Sequence, residues 1–289
     1  MDKPYLRYGI QLQELLAVKH GIKPVLRTVI NPKNIKNIET LCREDNMFSM
    51  TKSFNHLYGT KFDSALNVIY ISKSKDLLNK AYLSDKSGDR KKLGEVLGYP
   101  ECCVEFFSGA LKDAESPFPV KTYLKTNGKP SFLVNNVFKL ESRLSSSGVE
   151  KIQKNPDFAN RISHLFLISH IPCSYNCRES IKIGREMLVL LKREEPELAK
   201  EIASTLKKPL LFFDDLNWVI FDGKVNGKII DYTSIWPPLS LMPENLINKF
   251  REGDKVKVGK EYVEIFRDGE IIHRIKKKHK YDGILLDFS

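Results

Sequence analysis

The chain has 289 residues, 42% of them hydrophobic and 29% charged, and carries a formal net charge of +11. That is enough apolar material for one large domain or two smaller ones with a real core and no external staple. No stretch approaches the roughly 18 uninterrupted apolar residues of a membrane span, and MDKPYLRYGI lacks the layout of a signal peptide, so a soluble, cytoplasmic chain without a membrane partner is expected.

From the N-terminus, YGIQLQELLAVKHG places Ile10, Leu15, Leu16 and Val18 at helical spacing before Gly21, and KPVLRTVI behind it reads as a strand. NPKNIKNIETLCRED has a proline near its first turn and apolar residues at Ile35, Ile38 and Leu41, which predicts a second helix with Cys42 beside its stripe. FSMTKSF and NVIYIS are strand candidates, and SKDLLNKAYL is a helix with Ser74 at its start. DRKKLGEVLG breaks at Gly98, and ECCVEFFSGAL continues as a short helix entered through Pro100. SPFPVKTYLKTNGKPS, with three prolines and an Asn-Gly pair, reads as a loop. NPDFANRISHLFLISH is expected to be helical from Pro156 and interrupted by IPCSYN. Asn176 with Glu179 resembles a capping box that starts the next helix at Cys177, and EPELAKEIASTL is the helix after that.

From residue 209 the pattern becomes alternating. NWVIFDGKVNGKIIDYTSIW and EYVEIFRDGEIIHRI are hairpin candidates with Asn-Gly and Asp-Gly turns. The expected fold class is α+β: a mixed α/β start, a helical middle and a small antiparallel sheet or partly open barrel at the C-terminus. A division into residues 1–208 and 209–289 follows from the change of pattern.

Five cysteines, at positions 42, 102, 103, 173 and 177, form an odd set without an export signal, which points to reduced thiols or metal ligands rather than disulfides. Four of them fall in two tight clusters, GYPECC and HIPCSYNC, each at or near a predicted helix start, where the helix dipole favours thiolate over thiol. Cys103 among Val104, Phe106 and Phe107 also fits simple core packing, and Cys42 reads as a core residue. Taken together, the clusters predict a metal site drawn from Cys102, Cys103, Cys173 and Cys177, with His170 as a further ligand or proton-transfer group. No CxxC pair occurs, so zinc-ribbon knuckles are absent, and adjacent cysteines seldom both hold one tetrahedral ion. CSYNCRES matches two positions of the CxxxCxxC triplet of radical S-adenosylmethionine enzymes, but Ser180 stands where the third cysteine belongs. An iron–sulfur cluster, zinc, or a metal-free thiol redox couple all remain open.

LGYPECCVEFF followed by IPCSYNCRES resembles an uncharacterised family of archaeal and bacterial proteins, classed as a domain of unknown function, whose signature is GYPxCC with a later PCxxxC. The resemblance covers about residues 90–180. It implies that Cys102, Cys103, Cys173 and Cys177 belong together, and it brings no activity or cofactor with it.

Other motifs are weaker. Asp214 and Asp215 read as a solvated turn, and Asp231, Tyr232 and Trp236, before a Pro-Pro bend, read as half-buried packing at a sheet edge or as the lining of a pocket mouth. Walker, GxGxxG, HExxH and GxSxG motifs are missing, which removes the usual evidence for nucleotide hydrolysis, dinucleotide cofactors, zincin proteolysis and α/β-hydrolase chemistry. Residues 249–280 hold 11 Lys or Arg against 6 Asp or Glu, including Lys276, Lys277 and Lys278. This basic stretch reads as a solvated lysine-rich edge or a nucleic-acid-binding surface, with Tyr262 and Phe266 as core or stacking residues. Three functions are therefore expected to compete. One is a metal-dependent enzyme doing redox or sulfur chemistry on a small molecule. The others are an RNA-binding protein with a structural zinc site, and a scaffold with buried thiols.

Overall fold

The computed structural model describes residues 10–57, 60–111, 117–139, 162–236, 242–279 and 282–289, with the side chains of 54–66 and 236 left aside. Among the described residues nine α-helices accompany ten strands, all paired antiparallel, as the α+β expectation requires. They gather into two compact units. One comprises the described residues up to 112 with 167–173 and 178–199, and the other the described residues of 113–166, 174–177 and 200–289.

In the first unit, α1 (Leu12–Lys19), β1 (Leu26–Ile30) and α2 (Ile35–Glu44) lead to the hairpin of β2 (Phe48–Leu57) and β3 (Thr60–Ser72). The sheet order is β1-β3-β2, so β3 is central. Val68, Ile69, Tyr70 and Ile71 are all fully buried. The sheet therefore packs on both faces: Ile69 and Ile71 join Ile10, Leu15, Leu26, Ile38 and Cys42, while Val68 and Tyr70 join Val25, Leu78, Ala81 and Leu93.

Helix α3 (Lys75–Ser87) is capped by Ser74, whose Oγ accepts from the Leu77 N–H, and ends at Gly88 in the left-handed region. Helix α4 (Arg90–Val96) is capped by Asp89 in the same way. It stops at Gly98, with φ of 78°, where an added Cβ would lie 2.5 Å from Cδ of Pro24. No other residue fits that turn without displacing Pro24. Helix α5 (Glu101–Ala110) follows with Pro100 at its N-cap.

Helix α1 departs from the amphipathic pattern read in its sequence, for Leu12 to Val18 are all buried, including Gln13 and Glu14. Glu14 is compensated by Lys23, whose ammonium lies 2.5 Å from its carboxylate, both side chains being 8% exposed.

The stretch 117–131 read as a loop contains helix α6 (Phe118–Leu124). Its prolines do not prevent this, because Pro117 is the N-cap and Pro119 lies in the first turn, where no N–H has an intrahelical partner. Residues 155–161 of the helix expected from Pro156 lie outside the described residues. From Ser163 to Cys177 the chain is turn and irregular rather than helical. Helices α7 (Arg178–Glu194) and α8 (Pro196–Leu206) follow.

The second unit is built on a seven-stranded sheet of β4 (Leu210–Phe212), β5 (Trp218–Asn226), β6 (Ile229–Trp236), β7 (Lys255–Val258), β8 (Tyr262–Arg267), β9 (Glu270–Lys276) and β10 (Ile284–Leu286). Its order, β10-β4-β5-β6-β7-β8-β9, is a meander with β10 and β9 at its ends. Both expected hairpins form. At the β8–β9 turn Asp268 and Gly269 both have positive φ, the type I′ geometry that matches strand twist. Helix α9 (Glu244–Glu252) lays Ile247 and Phe250 on a core of Leu211, Phe221, Ile230, Val256, Val263 and Ile265.

Candidate metal centre

Each letter of the first motif has a physical task. Gly98 makes the left-handed turn, and Pro100 in extended geometry opens α5, its carbonyl accepting from the N–H groups of Cys103 and Val104. Tyr99 packs its ring 5.2 Å from that of His170 and 5.5 Å from the Lys23 ammonium. Cys102 and Cys103 are then the second and third residues of α5, with sulfurs 3.9 Å apart.

The second motif arrives on irregular chain. The backbone N–H of Cys173 donates to the Cys103 sulfur across 3.3 Å, directly after Pro172. Cys177 closes a turn on the Ser174 carbonyl and is joined by one peptide bond to Arg178, the first residue of α7. The capping box expected there does not form as read: Oδ1 of Asn176 accepts from the Ser174 hydroxyl, its amide reaches the Asn127 carbonyl, and the helix begins at Arg178.

The result is a group of four sulfurs, from Cys102, Cys103, Cys173 and Cys177, all within 4.8 Å of one another. Ligands on a single tetrahedral ion with metal–sulfur bonds of about 2.3 Å stand about 3.8 Å apart, so a contraction of at most about 1 Å would bring these four sulfurs to a spacing that could hold an ion. Adjacent cysteines seldom both hold one tetrahedral ion, but the 3.9 Å between the Cys102 and Cys103 sulfurs is close to the spacing such ligands need. Burial is graded: Cys103 and Cys177 are buried, Cys173 is partly buried and Cys102 is exposed. The starts of α5 and α7 add their partial positive charge.

Ser180, the residue that breaks the CxxxCxxC triplet, is fully buried and completes the surroundings. Its Oγ lies 3.2 Å from the Cys103 sulfur and 2.8 Å from Nε2 of His170. Cys103 as a thiolate can only accept, so the hydroxyl then donates to sulfur and accepts from His170 Nε2–H, which fixes the imidazole tautomer. His170 itself stands one hydroxyl away from the sulfur group. Burial, reinforced by the Lys23 charge and opposed by Glu14, pushes its pKa down to about 3, so the ring is neutral. Lys23 ties the same region together by donating to Ser169 Oγ at 2.7 Å. Lys23 and Glu14 carried no motif signal in the sequence, and Ser180 showed there only as the residue that breaks the triplet.

The remaining candidates are placed elsewhere. Cys42 is wholly buried in the core, and burial, with the nearby Asp45 charge, raises its thiol to about 11. Asp214 is a turn residue: its carboxylate accepts from the N–H groups of Leu216 and Asn217 and from the Asn217 amide. Asp231 and Tyr232 border an open cleft with Lys208, Asp222 and Asp254. There Lys208 pairs with Asp222, Asp231 pairs with Lys255, and Tyr232 donates to the Phe250 carbonyl. The Trp236 side chain and the Pro-Pro bend lie outside the described residues.

On β8 the core face is Val263 and Ile265, both fully buried. Tyr262 and Phe266 lie on the opposite face, and Tyr262 is 37% exposed. In register with that face are Lys276 and Arg274 of β9 and Lys257 and Lys255 of β7. Among the described residues no helix is long and apolar enough to cross a membrane.

No family model, curated protein or solved structure matches the chain.

Proposed function

We propose that this protein binds a single metal ion, zinc or iron, through Cys102, Cys103, Cys173 and Cys177, and uses it in sulfur or redox chemistry on a small molecule. The mutual approach of the four sulfurs carries this reading. A multinuclear iron–sulfur cluster places its thiolates on different irons, farther apart than ligands of one ion, so the spacing favours a mononuclear site. Cys103 supports it further, because the Cys173 N–H donates to its sulfur and the Ser180 hydroxyl stands within hydrogen-bond reach of it, as such groups do around metal-bound thiolates. Four protein thiolates would fill a tetrahedral sphere as structural zinc sites do, and the exposure of Cys102 is what supports access of a reactant to this one. Membership of the GYPxCC family, proposed on the two motifs, rests on these same residues.

Elemental analysis and absorption of anaerobically purified protein test the reading. One equivalent of zinc in colourless protein, or one of iron with thiolate charge-transfer bands, is expected. Metal-free protein would refute it.

A second reading, RNA binding by the C-terminal sheet, is favoured by the half-exposed Tyr262 in register with Lys276 of β9. It requires salt-dependent binding of single-stranded RNA that weakens when Tyr262 is changed to alanine.

A further inference from the structure

The four sulfurs are not equivalent. Cys103 and Cys177 are buried, Cys173 is half-buried, and the Cys103 sulfur is held by a backbone N–H and a buried hydroxyl. Cys102 is exposed, and it sits one residue earlier on α5, on the outward side of the pair. Building on the metal reading above, we infer that Cys102 is the exchangeable ligand and that the position it vacates takes the sulfur of a low-molecular-weight thiol.

The chemistry of the donor set selects that class of ligand. Four thiolates around a divalent ion carry a net charge of −2, and three leave −1, so the ion is a poor Lewis acid toward water or carbonyl oxygen and a good partner for a soft anion. A thiol also balances the exchange. The metal–sulfur bond of Cys102 breaks, a bond to the incoming sulfur forms, and the proton leaving the incoming thiol is taken by the Cys102 sulfur. No electrons are transferred and the charge of the centre is unchanged. The incoming sulfur is held as a thiolate at neutral pH, the nucleophilic form. Cys103, Cys173 and Cys177 keep the ion in place throughout, with Ser180 and the Cys173 N–H holding Cys103.

The test is cobalt(II) loading of the full chain with 2-mercaptoethanol as probe and 2-methoxyethanol as the sulfur-free control. Cys102→Ala is expected to retain one cobalt per chain with an altered visible spectrum, which returns toward the wild-type spectrum on addition of the thiol and not of the control. Cys103→Ala is expected to lose the ion. In the zinc-loaded wild type, iodoacetamide should alkylate Cys102 ahead of the other cysteines. If Cys102→Ala loses cobalt as completely as Cys103→Ala, or retains it with a spectrum that 2-mercaptoethanol leaves unchanged, the exchange proposal is wrong while the metal site stands. If the wild-type chain takes up no cobalt or zinc, the metal reading and this inference fall together.

Discussion

The hydroxyl of Ser180 stands 3.2 Å from the sulfur of Cys103, bridging it to His170 Nε2 at 2.8 Å. The serine thus reaches the site through a hydrogen bond where a third cysteine of the triplet would have reached it through its sulfur. Removing such a partner typically lowers metal affinity about 10- to 100-fold. Ser180→Ala should show a loss of that order in competition with a chromogenic chelator, with the stoichiometry unchanged at saturating metal. An affinity equal to wild type would mean that the hydroxyl does not act on the sulfur.

Gly98 should be the least replaceable glycine near the site. Gly98→Ala adds left-handed strain and a Cβ 2.5 Å from Pro24, whereas Gly128→Ala, with φ of 88° and open space, adds strain alone. Strain of this kind costs about 1–2 kcal/mol. Urea denaturation should show Gly98→Ala losing clearly more than Gly128→Ala, and equal losses would contradict the packing described for the GYP turn.

The buried Glu14–Lys23 pair predicts an asymmetry between single and double variants. Lys23→Met strands a carboxylate among buried residues and should cost about 3–5 kcal/mol, whereas Glu14→Gln combined with Lys23→Met should recover much of that loss. Denaturant unfolding of the three proteins reads this directly. A double variant no more stable than Lys23→Met would show that the two groups do not compensate each other.

His170 makes stability depend on pH. Its folded pKa of about 3 lies below the ordinary 6.5. Between those values the unfolded chain binds a proton that the folded chain refuses, so stability is full above about pH 6.5 and is lost as pH falls toward 3. The slope from this group approaches about 1.4 kcal/mol per pH unit inside that window. Urea unfolding between about pH 4 and pH 7 should show a shallower decline for His170→Gln than for wild type, since acid loss of thiolate ligands is common to both. Parallel curves would place His170 in contact with solvent.

Much of this centre was legible in the sequence because cysteine, proline and glycine act through short-range rules. Gly98 ends a helix, Pro100 and Pro172 restrict the chain before each thiol, and two cysteine clusters near helix starts announce a shared site. What the pattern could not carry was tertiary. Nothing local marks Ser180 as the partner of Cys103, 77 residues away. Helix α1 looked amphipathic because the burial of Glu14 depends on Lys23, which lies beyond the end of the helix. The alternation of β8 separates two faces without naming the inner one, and Tyr262 falls outside because Val263 and Ile265 fill the core. Helix α6 was hidden by prolines whose effect depends on position within the first turn.

X-ray absorption spectroscopy of the metal-loaded protein is the most direct measurement of the central claim. Four sulfur neighbours at about 2.3 Å with no second metal in the scattering are expected for one ion on Cys102, Cys103, Cys173 and Cys177. A short metal–metal distance, or a sphere dominated by nitrogen and oxygen, would contradict it.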